Sequence, residues 1–594
     1  MQRHTSPLFI VAGGIWLLGA IGAFLPIPLA WGVHSLAFLP LVVRMFLLAS
    51  GAAMILALRS ESISARVERT LGSLADRPIP TLAVAVAAFA ALAVALRVAV
   101  PLLGDSFIAI KLYENRSSGA PFLPNSHYPS AFFYFFTLMR AMGSFTYPRI
   151  MDAFLAGELV LGAGYVVAAW YLTGALFEDR VVKAVSFLLL LVLPTTQLFL
   201  GYVEIYAVSA VFLVVYLLCA VLFLRRTAPF YVVPAAFLLL VLAHYLNLLL
   251  VPSLVYLAAI AYRRDGPAAL GIGVAAMTAA GALLFSISGV ELASLLPAPR
   301  HSPFLSVGAA QDLYQAYGLL SWLHGVDLLN LAALLAPGAW ALVALGFRKG
   351  SFTAQPAAIF LATAALPVVA FFLVAKFDLP MAQDWDIPAP YAVILTLLGL
   401  ALFVARAGAR AGRALLPLVA ATAFASLSFF TLNASTLPSL ERAETLVDPR
   451  ISSQDGTYQS TLHLVEYYLA QDDTARVNAS FERFLELYPN DPRGYENYTL
   501  HLSQFGSGED ARIRELFRRW MSLDPSGEPR ARYADFCLDV GHREYKEGDV
   551  AGAQARFEEA LRYVPTMPEA LNGLGVIARR AGDLERAIGF YERA

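Results

Sequence analysis

The chain has little charge and almost no cysteine, and each scarcity closes off a class of function. Asp, Glu, Lys and Arg make up 15% of the residues, where a soluble domain carries about 25%. The formal net charge is −1. No basic surplus exists to meet a phosphodiester backbone, so no nucleic-acid partner is expected. Cys219 lies in an apolar run and Cys537 far away in a polar region, and these two are the whole complement. They support neither a disulfide framework nor a thiolate metal site. The histidines are scattered, with no HxxxH or HExxH spacing to suggest a metal centre.

What the chain has instead is apolar length. Hydrophobic residues reach 58% and the mean hydropathy is +0.62, which marks an integral membrane protein. Apolar runs dominate to about Thr431, and from Leu437 the chain turns charged and aromatic. Two parts follow, a membrane part and a soluble tail. Runs of spanning length give about 13 spans, at 8–30, 36–58, 80–103, 150–175, 184–200, 203–224, 230–246, 247–262, 267–288, 327–347, 353–375, 389–405 and 414–432. The first run follows Arg3 and could pass for a signal peptide. A second span comes straight after it, so it reads as a retained helix.

Basic residues orient the spans. Arg59, Arg66, Arg69, Arg77, Arg225, Arg226, Arg263, Arg264, Arg348, Lys349, Arg406, Arg410 and Arg413 all fall in the cytoplasm if 128–147 does not cross. That segment is aromatic and interrupted by Arg140, which suits a helix in the headgroup zone. The N-terminus is then cytoplasmic, and loops 104–149, 289–326 and 376–388 lie outside with the tail. Several ionisable groups gather on that outer side: Asp105, His127, Glu204 in GYVEIY, His244, Arg300, His301, His324, Lys376, Asp378, Asp384 and Asp386. Such groups at the ends of spans tend to be functional. Simple solvation accounts equally well for Arg300, His301 and His324, and His244 reads equally as a buried histidine bonded to a neighbouring helix.

The stretch Gly104–Tyr128, GDSFIAIKLYENRSSGAPFLPNSHY, opens with an acid directly after an apolar run. With His127-Tyr128-Pro129, the aromatic segment behind it and the later QDWDIPAPY (Gln383–Tyr391), it resembles the polytopic glycosyltransferases of the GT-C fold. That class includes protein mannosyltransferases and lipid A aminoarabinose transferases. The resemblance covers roughly 80–432. Ser106 stands where the family often has a second acid. The resemblance implies transfer of a sugar, with inversion, from a polyprenyl-phosphate donor in the membrane lipid to an extracytoplasmic glycan, lipid or protein. Asp105 would be the general base. Lys376, Lys111, Arg116 and His127 would meet the donor phosphate, with Lys376 preferred because it caps a span. Glu204, Asp384, Asp386 and His244 would bind acceptor or sugar hydroxyls. No cofactor is implied, although Asp384 and Asp386 could hold a divalent cation, a spacing of two acids that also occurs by chance. DWDIPAP reads alternatively as an ordinary Pro-bounded loop with Trp385 at the interface.

After a linker at 433–457 the tail shows a repeat. Gly548 and Gly582, Ala553 and Ala587, Phe557 and Tyr591, and Ala560 and Ala594 are each 34 residues apart, the tetratricopeptide period. Looser copies end at Pro489 and Pro525. The expected fold is therefore all-α: an N-terminal transmembrane hairpin and cytoplasmic loop at 1–79, a GT-C-like transmembrane domain at 80–432, and an extracytoplasmic tetratricopeptide α-solenoid at 458–594. A protein or peptide partner is expected at the repeats, and a bacterial inner (plasma) membrane is the expected location. The sequence stops inside the second helix of a repeat without a polar cap, so it is expected either to be truncated or to pack its last unit on something else. Two other readings stay open: a non-catalytic membrane scaffold with a repeat arm, and an O-antigen ligase or polymerase-like enzyme centred on loop 289–326.

Overall fold

Backbone N–H and C=O groups at membrane depth have to be satisfied within the chain, and a helix does this segment by segment. The apolar runs accordingly become helices. The computed structural model describes residues 7–114, 129–143, 145–288, 302–308, 313–347, 355–505 and 510–594. Among these there is no strand, only an isolated bridge between Phe304 and Ala375. The chain divides into two units, Met1–His463 and Leu464–Ala594.

The first unit begins with α1 (Pro7–Gly22), α2 (Leu41–Ala57), α3 (Glu61–Ala75) and α4 (Pro78–Ala95). It continues through α5 (Ser106–Glu114), α6 (Pro129–Met142), α7 (Tyr147–Leu176), α8 (Arg180–Leu191) and α9 (Tyr206–Leu224). Next come α10 (Val232–Ala243), α11 (Val251–Asp265), α12 (Pro267–Ser288), α13 (Trp322–Leu335) and α14 (Ala339–Gly346). The last are α15 (Pro356–Phe372), α16 (Ala392–Ala407), α17 (Ala411–Asn433), α18 (Thr436–Leu446) and the first turns of α19 (Gln454–Leu469), up to His463. Glycines let some of these approach closely, as is common between membrane helices. A Cβ at Gly346 would lie 2.5 Å from the Leu402 carbonyl carbon, and one at Gly399 2.8 Å from Leu342 Cβ.

Among the described residues, 6 helices are long and apolar enough to cross a membrane singly, or up to 8 if each of two pairs bent by 91° crosses as one. The chain is thus an integral membrane protein. Several expected spans are shorter than the sequence suggests. The run at 184–200 is helical only to Leu191, because Pro194 opens a 3-10 turn. Its twelve residues reach about 18 Å, well short of a bilayer core of about 30 Å. The run at 230–246 likewise stops at Ala243, where His244 turns extended. The expected cytoplasmic loop below residue 79 contains α3, whose Glu68 pairs with Arg413 at 2.7 Å. The expected linker at 433–457 contains α18, with Leu440, Arg442 and Leu446 buried. His324, placed in an outer loop on sequence grounds, sits on α13, buried with Nε2 3.0 Å from the Leu373 carbonyl.

The second unit continues as α20 (Thr474–Leu487), α21 (Pro492–Phe505), α22 (Asp510–Leu523), α23 (Glu528–Glu547), α24 (Val550–Tyr563), α25 (Pro568–Arg580) and α26 (Leu584–Arg593). The 34-residue register is visible as repeated contacts. Gly548 and Gly582 both turn with positive φ, 91° and 83°, the left-handed conformation that favours glycine. Asp549 and Asp583 then cap the next helices by accepting the N–H groups of Gly552 and Arg586. Gly541 faces the Phe557 ring as Gly575 faces that of Tyr591.

Candidate functional site

The chain leaves α4 at Ala95 and runs irregularly to Gly104, which has φ +58° and so reverses direction as only glycine does without strain. A Cβ at this position would lie 2.7 Å from Asp386 Oδ2, 2.8 Å from the Tyr202 hydroxyl and 2.9 Å from Glu204 Oε1. Three chain segments far apart in sequence therefore converge on one glycine. The Gly104 N–H donates to the Gln383 carbonyl at 3.1 Å, and the Asp105 N–H donates to Glu204 Oε1 at 2.5 Å. Backbone bonds on both sides fix where α5 starts and where the Asp105 carboxylate projects.

Around that point the structure brings together Asp105, Glu204, Asp384 and Asp386, four residues singled out by sequence. Glu204, Asp384 and Asp386 are buried, while Asp105 and Asp378 are open to solvent. The Tyr202 hydroxyl donates to Asp386 Oδ2 at 3.2 Å, and Asp384 Oδ2 accepts the Leu379 N–H at 3.1 Å. Asp105 is reachable by water yet densely surrounded. Burial first, and the nearby Asp378 charge second, push its pKa up to about 6. That combination describes the floor of a recess. Ser106 is buried and donates to the Leu103 carbonyl at 2.7 Å, so it adds nothing to the acidic group. Among the described residues, no three His, Cys, Asp or Glu side chains adopt a metal-holding arrangement.

The remaining expected residues fall elsewhere. Lys376 is buried two residues before Asp378, with its ammonium 5.5 Å from the centre of the Tyr314 ring. Lys111 projects from α5 with Glu114 4.0 Å away and half of its side chain exposed. His244 is buried, its Nδ1 accepting the Leu246 N–H at 3.1 Å, and its ring lies 5.3 Å from that of Tyr206. Tyr206 is in turn within electrostatic reach of Asp105, Glu204, Asp384 and Asp386. Arg116 and His127 lie outside the described residues, as do Arg300 and His301.

Sequence reasoning passed over three groups. Tyr202 lies in GYVEIY two residues before Glu204, so the motif held the signal. Glu158 in the middle of α7 accepts the N–H groups of Gly201 and Tyr202 at 2.6 and 3.1 Å, holding the turn that carries Tyr202 and Glu204. A lone acid inside a span was the available signal. Arg442 on α18 is a buried guanidinium within reach of Tyr202. Its Nε donates to His34 Nε2 at 3.2 Å, and His34 Nδ1 lies 3.0 Å from the Ile27 carbonyl. Burial, then the Arg442 charge, push the His34 pKa down to about 3. The neutral ring therefore donates through Nδ1 and accepts through Nε2. Nothing in a stretch that reads as a linker pointed to this residue.

The tetratricopeptide repeat family matches residues 538–594, in keeping with the contact register there. The crystal structure of ArnT from Cupriavidus metallidurans bound to undecaprenyl phosphate is similar to the chain at 13% identity, covering 61% of this chain and 77% of that one, with a TM-score of 0.39. No curated protein matches.

Proposed function

We propose that the chain is a membrane glycosyltransferase that moves a sugar from a polyprenyl-phosphate donor to a hydroxyl or amine of an extracytoplasmic acceptor, with Asp105 as general base. The observation that carries this reading is a water-reachable carboxylate held by backbone hydrogen bonds at the floor of a recess, beside further acids. A base has to stand within hydrogen-bond reach of the proton it takes and be ionised at the working pH. With a pKa of about 6, Asp105 is mainly ionised at neutrality and still basic enough to accept a proton.

In the proposed reaction the acceptor oxygen or nitrogen attacks the anomeric carbon and gives its proton to Asp105. The bond from that carbon to the phosphate oxygen breaks on the opposite face. The electron pair leaves with the lipid phosphate, and Asp105 later returns its proton to water. A carboxyl group accepts hydrogen bonds in either protonation state and donates one when protonated, so Glu204, Asp384 and Asp386 suit sugar hydroxyls and offer a phosphate no fixed positive charge. The donor phosphate therefore belongs on the Lys376 side of the acidic loop. The distribution of basic residues supports an extracytoplasmic recess and repeats at a bacterial plasma membrane. The tetratricopeptide unit would hold a protein or peptide partner there.

The test is release of polyprenyl phosphate from radiolabelled polyprenyl-phosphate sugars by membrane-embedded protein, wild type beside Asp105→Asn. Turnover by wild type that is lost in a folded Asp105→Asn protein is expected. Equal turnover by both would remove Asp105 as the base.

A further inference from the structure

The helix α19 opens the tail, and its first turns, up to His463, belong to the first unit. Gly456, Ser460 and His463 follow one another at steps of four and three residues and so share one face. Each touches the segments that build the recess. A Cβ at Gly456 would lie 2.9 Å from the Asp378 carbonyl oxygen. Ser460 Oγ lies 2.8 Å from Gln383 Oε1, and the carbonyl of the same Gln383 accepts the Gly104 N–H. The His463 ring centre is 6.0 Å from that of Phe107, two residues past Asp105, and Phe107 stacks on Tyr147 at 6.3 Å.

His463 is buried, and neither of its ring nitrogens has a hydrogen-bond partner among the described residues. Leaving a buried donor or acceptor unmet is destabilising. Phenylalanine or leucine would fill the same space without that cost, so packing alone does not explain an imidazole here. Burial also pushes the pKa of His463 down to about 4, so at neutral pH the ring offers one N–H and one lone pair. A hydroxyl group complements that pair, since it both donates and accepts. A phosphate or carboxylate only accepts and an ammonium only donates. The Phe107 ring lies beside the imidazole.

We propose that His463 is a hydroxyl-binding residue for a neutral sugar, supplied to the recess by the first helix of the tail. Placing it on the acceptor side rests on the glycosyltransferase reading, whereas the sugar binding itself does not. Lys376 and the lipid phosphate belong to the other end of the acidic loop. The neutral imidazole, beside Phe107 two residues past the base, meets the uncharged reactant.

The experiment uses the full chain in lipid nanodiscs free of sugar-based detergent. Saturation-transfer NMR is recorded with the methyl α-glycosides of glucose, mannose and galactose, for wild type and His463→Phe, with thermal unfolding in parallel. Expected is saturation transfer from at least one glycoside to wild type and at least tenfold weaker binding by His463→Phe. The unfolding midpoint of the variant should be equal or higher, because an unmet polar ring has been replaced by an apolar one. His463→Leu makes the same comparison should phenylalanine prove too large, and His463→Gln, which keeps a donor and an acceptor, should retain part of the binding. No transfer from any glycoside to wild type means that the imidazole meets only ordered water, and the inference falls. Undiminished binding in the variants overturns it equally. Neither result touches the donor-release comparison of wild type with Asp105→Asn, so failure of the inference and failure of the catalytic reading are separately visible.

Discussion

Replacing Gly104 with alanine tests whether the convergence of three segments is what positions the base. The substitution does two things at once. It forces a side chain into φ +58°, which costs about 1–2 kcal/mol for a residue with a Cβ. It also places that Cβ 2.7–2.9 Å from Asp386 Oδ2, the Tyr202 hydroxyl and Glu204 Oε1. These atoms have to move apart, loosening the Tyr202–Asp386 and Asp105–Glu204 hydrogen bonds, each worth about 0.5–1.5 kcal/mol net. The sum is about 2–5 kcal/mol of lost stability. Displacing the base by about 1 Å should also lower turnover on the order of a hundredfold. Gly143 separates the two effects. It has φ +62° and no heavy atom within 4 Å of its would-be Cβ, so Gly143→Ala carries the backbone strain without the crowding. Thermal unfolding and donor turnover of both variants in the same nanodiscs are the assay. The unfolding midpoint should fall in both, and turnover only in Gly104→Ala. A Gly104→Ala protein that turns over within twofold of wild type would refute the reasoning.

Three further predictions follow from the same geometry. Because the Asp105 pKa is raised to about 6 and the base acts when ionised, kcat/KM should rise with pH through about 6 and be lost below it. Asp378→Asn removes the like charge that disfavours ionisation, so the midpoint of that pH profile should move to lower pH; an unmoved or higher midpoint contradicts the assignment. Glu204→Gln keeps an acceptor for the Asp105 N–H, whereas Glu204→Ala strands it at a cost of about 1–3 kcal/mol, so alanine should unfold at the lower temperature and turn over more slowly than glutamine. Glu158→Ala leaves the Gly201 and Tyr202 N–H groups unmet. Its thermal midpoint should fall well below that of Glu158→Gln, and equal midpoints would show that the turn at Gly201 holds itself.

The helical class, the order of apolar segments and the repeat register were legible because each rests on local periodicity. A 34-residue recurrence of glycine and small residues needs only the sequence, and so does a run of apolar residues. Span ends were less legible. Pro194 and His244 cut two runs short through backbone conformation, which hydropathy does not register. The acids of the recess were nameable one at a time, as charged residues at the ends of spans. Their grouping was not, since Asp105 meets Glu204 and Tyr202 meets Asp386 across long stretches of chain. Arg442 and His463 escaped for another reason. Each lies in a segment whose polarity reads as exposed linker or repeat, and only tertiary packing buries them.

The bonds around Asp105 also indicate which kinetic quantity each substitution should change. Its position is set by the hydrogen bonds that hold its backbone: Gly104 N–H to the Gln383 carbonyl and Asp105 N–H to the Glu204 carboxyl, with the Ser460 hydroxyl of α19 donating to the Gln383 side chain. A change at Glu204, Gln383 or Gly104 therefore relocates the carboxylate more than it alters its charge. Such changes should depress kcat with little movement of the pH midpoint. Asp378 has the opposite character, since it reaches Asp105 through its charge and should move the midpoint more than kcat. His463 belongs to neither group: it faces Phe107, leaves the base in place, and should raise the acceptor KM while sparing kcat. Three distinct kinetic signatures are thus assigned to residues that surround one recess, and a pattern in which all of them merely lower kcat would mean that the recess is held together as a single packing unit without separate roles.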